Sequence, residues 1–216
     1  MMNDKMKIKL NNEVFKMEQI LIATKNPGKA REYRKIFEPK GFEVITLLDL
    51  EEQSIPSIDE NGQSFDENAY IKAQALTDAM KITVLADDSG LCVDALNGAP
   101  GIHSARYAGD HDDEANRKKL LLEMKDVPKE KRTAHFHTSI VVTHPTKENL
   151  KVSGEAEGRI LTHEVGEKGF GYDPLFYSFD LDKTFAEATV DEKNSVSHRG
   201  KAVRSLMKQF DKWWTD

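Results

Sequence analysis

Asp87-Asp88-Ser89-Gly90 follows an apolar run, Thr83 to Ala86, and sets two carboxylates side by side. Neighbouring side chains on a strand point to opposite faces, so only one of the pair readily faces a given crevice. A carboxylate at such a strand end suits a hard divalent cation. Mg²⁺ takes one or two carboxylate oxygens and fills its remaining positions with phosphate oxygens and water. The ordinary alternative is an acidic turn whose carboxylates cap backbone N–H groups. A second candidate, Thr24-Lys25-Asn26-Pro27-Gly28-Lys29, lies between the apolar run Ile20 to Ala23 and a helical pattern. N–H groups at a helix start attract phosphate, Thr24 and Asn26 can add hydrogen bonds, and Lys29 adds charge. The match to a P-loop fails, because Ala23 stands where its first glycine belongs and Ala30 where its Ser or Thr belongs. Taken alone, the stretch is as well explained by an Asn-Pro-Gly turn with solvated lysines.

Three further groups carry weaker signals. In Gly169-Phe170-Gly171-Tyr172-Asp173-Pro174 the glycines let the backbone bend around a ligand. Phe170 or Tyr172 can stack on a base there and Asp173 can accept from a ring N–H, or the aromatics simply plug the core. Lys193 with Ser197-His198-Arg199 offers a cation and donors for phosphate or a base carbonyl, or is ordinary polar sequence opening a helix. Asp59, Glu60 and Glu67 cluster near the start of a capped helix that also carries Lys72. His135 and His137 share a face if their segment is a strand, but no third metal ligand is in view.

The elements that must position these groups are legible from periodicity. Strands are expected over 20–23, 42–46, 83–86, 138–143 and 151–160. Helices are expected from Gly28 to about Phe37, from Ser64 to about Met80, over 112–124 and over 197–214. Ser64 and Glu67 have the spacing of a capping box. Strand-helix-strand order at the start suggests parallel pairing and the 138–160 pair an antiparallel hairpin. The expected fold is therefore α/β with a mixed sheet.

A net charge of −6 argues against a broad nucleic-acid-binding face, though not against a small anion. No apolar run approaches the roughly 20 residues of a membrane helix. Residues 1–18 are polar and Lys-rich without the apolar centre of a secretory signal, so a cytoplasmic protein is expected. Residues 1–18 read as an N-terminal extension, with Met17 an alternative start, and residues 19–216 as one domain. The single cysteine, Cys92, excludes an internal disulfide and reads as a buried structural thiol.

The stretches 23–29, 64–69, 86–91, 98–107, 169–174 and 197–200, in this order, resemble the inosine triphosphate pyrophosphatase family over Gln19 to about Phe210. The resemblance implies an elongated mixed α/β fold of two lobes around a nucleotide-binding cleft, and a homodimer. It implies Mg²⁺-dependent cleavage of ITP, dITP or XTP between the α and β phosphates. Carried onto this chain, it gives the triphosphate to Thr24, Lys25, Asn26, Pro27, Gly28 and Lys29. Asp88 becomes the catalytic carboxylate and a metal ligand, and Ser89 contacts substrate. Lys72 and Lys193 neutralise phosphate charge, while Phe170, Gly171, Tyr172, Asp173, His198 and Arg199 enclose the base. The family's second metal carboxylate is a Glu three residues before a Gly, and counting back from Gly62 gives Asp59. Asp is one methylene shorter, which leaves a water-bridged contact or a substitute role for Glu60. Two rivals are a Maf-like pyrophosphatase for modified or pyrimidine nucleotides and a non-catalytic nucleotide sensor. The 170 and 197–199 segments argue against the first, and Asp88, Lys72 and Lys193 together against the second.

Overall fold

Ile20, Leu21 and Ile22 are all buried, as a strand covered on both faces requires. The computed structural model, which describes residues 17–110 and 112–216, makes this run β1 (Glu18–Ile22). It opens two residues before the expected strand and closes one residue before its expected end, and residues 1–16 of the expected extension lie outside the described residues. The chain continues through α1 (Pro27–Phe37), β2 (Phe42–Thr46), α2 (Phe65–Met80), β3 (Thr83–Val93) and α3 (Asp113–Glu123). It ends with β4 (Thr133–Thr143), β5 (Leu150–Ile160), β6 (Phe176–Ser178), β7 (Lys183–Thr184), α4 (Val190–Val196) and α5 (His198–Thr215). The sheet order is β2-β1-β3-β4-β5-β6-β7. β1 pairs in parallel with β2 and β3, and the remaining neighbours are antiparallel. The mixed α/β sheet is as expected, and none of the described helices is long and apolar enough to cross a membrane.

β3 does not end at Ala86. β1 accompanies it only to Leu85, but β4 pairs with it from Val84 to Val93. Asp87 and Asp88 therefore lie inside a strand rather than in a terminal turn, at the point where one flank of β3 loses its neighbour. β4 likewise begins at Thr133, because Ala134 and Phe136 turn inward between half-exposed His135 and His137.

Alternation along the strands feeds different layers. Ile20, Ile22, Leu85 and Ile140 meet Tyr33 and Phe37 of α1 and Ala202, Leu206 and Phe210 of α5. Leu21, Val84, Ala86 and Val141 meet Ala69, Ala73 and Leu76 of α2. A third cluster, around Leu91, Phe136, Tyr172, Phe176 and Phe185, fills the far end of the long strands. Truncating a buried leucine such as Leu206 to Ala costs about 2–5 kcal/mol. α5 lies directly on β5 because Gly154 has no side chain: a Cβ there would meet His198 O at 2.3 Å and Ala202 N at 2.4 Å. Cys92 is half-buried rather than enclosed, and burial pushes its thiol up to about 11.

Candidate active site

After β1 the chain turns through α1 to β2 on one side, while β3 occupies the other. The carboxyl ends of two parallel strands that diverge in this way open the crevice where α/β sheets bind ligands. Thr24 is buried here, and its Oγ1 accepts from Asn26 N at 3.1 Å. Asn26 caps α1 by accepting from Gly28 N at 2.8 Å and Lys29 N at 3.2 Å. Pro27, the first helical residue, has no N–H to satisfy. The N–H groups expected to await phosphate are thus partly met by Asn26. Lys25 points outward to Glu52 at 3.4 Å, whereas Lys29 turns inward.

Asp87 and Asp88 face opposite layers. Asp87, on the α1 and α5 side, accepts from Lys29 Nζ at 2.6 Å and lies 3.8 Å from Arg199 Nε. Burial works to raise its carboxyl, but Lys29 and Arg199 outweigh it and hold the group down at about 2. Burial lowers the Lys29 ammonium, against the pull of Asp87. Asp88, on the α2 side, accepts from Asn68 Nδ2 at 3.1 Å and from Ser89 N at 3.0 Å. Burial raises this carboxyl; Asn68 and Lys72 oppose the rise and the charge of Glu60 adds to it. Glu60, not Asp59, reaches this group: its carboxylate lies 2.9 Å from Lys72 Nζ, while Asp59 is exposed. The difference in burial between these neighbours is not revealed by counting back from Gly62. Ser89 Oγ bonds Thr138 Oγ1 at 2.7 Å.

The 169–173 turn is built on left-handed glycines, Gly169 at φ 81° and Gly171 at φ 60°. Asp173 is 2% exposed, and its Oδ2 accepts from Phe170 N at 2.9 Å and from Lys193 Nζ. Asp173 and Lys193 therefore brace the turn: the expected base acceptor is occupied, and the expected phosphate cation lies 4.6 Å from the Phe170 ring centre. Phe170 itself is 58% exposed and open to a stacking partner. Tyr172 is buried, its hydroxyl donating to Ser104 O at 2.9 Å, so it packs rather than stacks. His198 is buried and stacked on Phe136 at 4.7 Å; burial keeps its ring neutral, with Arg199 and Lys193 adding to the effect. His198 Nδ1 and Arg199 Nε are buried without a hydrogen-bond partner.

Comparison with known proteins decides the lineage. A family model described as the Ham1 family matches residues 20–209. The chain belongs to the Ham1 family. It is 50% identical over 199 residues to a dITP/XTP pyrophosphatase of Lactiplantibacillus plantarum, covering 92% of this chain and 98% of that one. A dITP/XTP pyrophosphatase of Bacillus subtilis is 48% identical over 196 residues, covering 90% and 98%. The Staphylococcus aureus Ham1 protein superposes with a TM-score of 0.84 at 40% identity, covering 90% of this chain and 99% of that one.

In this Ham1 chain the residues singled out from sequence divide into two groups. Lys29, Lys72, Asp87, Asp88, Glu60 and Arg199 act on one another electrostatically around β3. Phe170, Asp173, Lys193 and His198 form a second group at the 169–173 turn. Sequence reasoning gave no role to Asn68, which lies one turn before Lys72. It also missed Asp113 and Arg117 of α3, which hold Gly171 through its N–H at 2.7 Å and its carbonyl at 3.0 Å. The i,i+4 spacing of each pair was visible, but not the loop each would face. His137 is taken up by Glu155 at 3.0 Å, Ser139 at 2.9 Å and the Phe65 ring. Among the described residues, no group of three or more His, Cys, Asp or Glu converges as a metal site.

Proposed function

We propose that this chain hydrolyses deaminated purine nucleoside triphosphates, ITP, dITP and XTP, to the monophosphate and pyrophosphate. The observation that carries the reading is the Asp88 environment: a half-buried carboxylate held by Asn68, with Lys72 and Glu60 acting on it. The relatives named dITP/XTP pyrophosphatase support the substrate class.

Asp88 orients the attacking water and takes its proton, a role helped by burial that lifts its carboxyl toward working pH. Lys29 and Lys72 draw charge from the triphosphate, so that a hydroxyl can approach the α phosphorus. Asp88 and Glu60 fit Mg²⁺, which needs only one or two protein carboxylates when substrate phosphates supply further oxygens. When bound there, the ion withdraws negative charge from the phosphates and helps align them. Asp59 is exposed, and Glu60, paired with Lys72, takes that role in this reading.

Phe170 stacks on any purine, while His198 and Arg199, with buried nitrogens lacking partners, supply the polar contacts to a 6-oxo group. With adenine in place these donors stay unpaired, at about 1–3 kcal/mol for each buried group. The reading includes a cytoplasmic homodimer, to be tested by light scattering of the purified chain. The activity test is pyrophosphate release from ITP, dITP and XTP beside ATP and GTP, with Mg²⁺ and again in excess chelator. Preference for the deaminated substrates and loss of turnover in chelator are expected. No pyrophosphate from any of the three overturns the activity, and full turnover in chelator overturns the metal role.

A further inference from the structure

Asn68 is 2% exposed on the face of α2 that looks at β3. Its side-chain amide is used at both ends. Nδ2 donates to Asp88 Oδ2 at 3.1 Å, and Oδ1 accepts from Gly62 N at 2.9 Å. Gly62 lies two residues beyond Glu60, and Glu60 is held in turn by Lys72, one helical turn on from Asn68. One amide therefore ties the strand that carries Asp88 to the loop that carries Glu60. The polarity of the tie is set by chemistry: Asp88 needs a donor and the Gly62 N–H needs an acceptor, and an asparagine amide offers the two from separate atoms.

The loop is pressed against this amide closely enough to transmit its position. A Cβ on Gly62 would fall 2.7 Å from Glu67 Cβ and 2.8 Å from Asn68 Oδ1. The next residue is fixed as well, since Gln63 N donates to Glu67 Oε2 at 2.6 Å. Ser64 then caps α2 by accepting from Glu67 N at 3.2 Å. The sequence from Gly62 to Asn68 is thus one braced unit whose buried Asn68 end points at Asp88.

We infer that Asn68 is a positioning residue that sets the spacing and orientation of Asp88 and Glu60 for a divalent cation. The inference rests on the metal-dependent reading above. It separates two properties that a merely structural asparagine would not separate. Metal affinity and turnover depend on the carboxylate pair, whereas nucleotide binding depends mainly on Lys29 and the 169–173 turn. Groups that hydrogen-bond a metal ligand typically change metal affinity or activity by about 10–100-fold when removed.

The test uses Asn68→Leu, which removes both bonds at similar size, and Asn68→Ser, smaller and polar, should the first not fold. Gly62→Ala attacks the same contact from the loop side with Asn68 intact. Mn²⁺ is titrated into each protein and followed by electron paramagnetic resonance. The Mg²⁺ concentration for half-maximal pyrophosphate release and KM for ITP at saturating Mg²⁺ are measured beside it. The expected result is Mn²⁺ binding weakened about tenfold or more, with a matching rise in the Mg²⁺ requirement and a fall in kcat, and KM for ITP within about threefold of wild type. Folded Asn68 variants with unchanged Mn²⁺ affinity, or with KM for ITP rising as much as the metal constant, overturn the inference. Wild-type protein that neither binds Mn²⁺ nor needs Mg²⁺ overturns the metal reading itself, and this control keeps the two failures apart.

Discussion

The two faces of β3 treat neighbouring carboxylates in opposite ways. Asp87 meets two cations, Lys29 and Arg199, and stays ionised down to about pH 2. Asp88, one residue on, meets a neutral amide and a backbone N–H, and burial raises its carboxyl. The difference is one of partner, since both side chains leave the same strand. A carboxylate neutralised by fixed cations is a structural counter-ion that aims those cations. A carboxylate held by neutral donors keeps its charge available for a water, a proton or a metal. The face of the sheet, set by side-chain alternation, decides which residue does chemistry.

Exchange of each carboxylate for its amide is the sharpest way to break this contrast. Asp88→Asn is expected to lower kcat by about 10²–10⁴-fold, the usual cost of losing a general base. Its unfolding free energy should change by less than about 1 kcal/mol, because no cation is left unpaired. Asp87→Asn is expected to act chiefly on stability. Removing one partner of a buried ion pair costs about 3–5 kcal/mol, because Lys29 and Arg199 remain buried without compensation. Urea unfolding and initial rates on both variants check this. Equal stability losses would show that the two faces do not differ as described.

Acid titration sharpens the same contrast. The Asp87 carboxyl is held at about 2 in the folded chain, against 3.8 for the free group. A depressed carboxyl stabilises fully above its unfolded value and loses that contribution as pH falls through its folded value. The window therefore runs from about pH 4 down to about pH 2. A shift of this size is worth about 2–3 kcal/mol. Asp88, raised by burial, has the opposite sign, since its protonation favours the folded chain as pH falls. Asp87→Asn should flatten the loss of stability across the window and Asp88→Asn should not, as read by urea midpoints at several acid pH values. Parallel curves for wild type and Asp87→Asn would show that Lys29 and Arg199 do not hold the carboxyl down.

The parallel start of the sheet and its helices were legible because Ile20 to Ala23, Thr83 to Ala86 and the apolar stripes of α2 and α5 carry their own periodicity. The continuation of β3 was not. Asp87, Asp88 and Ser89 read locally as a turn, and only pairing with β4, with partners drawn from three helices and a loop, keeps them extended. β6, β7 and α4 are too short to show a period, although Thr189 and Glu192 do close a capping box that opens α4. At Ser64 the expected box is only half formed, since Glu67 reaches Gln63 N rather than Ser64 N. Residue types singled out the acidic pair, the loop after β1 and the aromatic turn, and the structure gives each a defined set of partners. They could not tell Glu60 from Asp59, or show that Asp173 would be occupied by Lys193. Both depend on how a loop folds back on a distant element.

The smallest expected effect separates the base from the phosphates and extends the contrast to Arg199. Asp87 lies beside Arg199 Nε without a hydrogen bond, so it draws the guanidinium into place while leaving Nε without a partner. On this account Arg199 is aimed by one face of β3 but acts on the base. Arg199→Ala should lower kcat/KM for ITP about tenfold or more and for ATP much less, since adenine offers no 6-oxo acceptor. Phe170→Ala removes only stacking, a contribution of about 1–3 kcal/mol that every purine shares. It should weaken ITP and ATP by similar factors. Measuring kcat/KM for both nucleotides in both variants gives four ratios to compare. If Arg199→Ala slows ITP and ATP equally, Arg199 works with Lys29 on the triphosphate, and base reading falls to His198 alone. The Asp87 face would then be wholly a phosphate face.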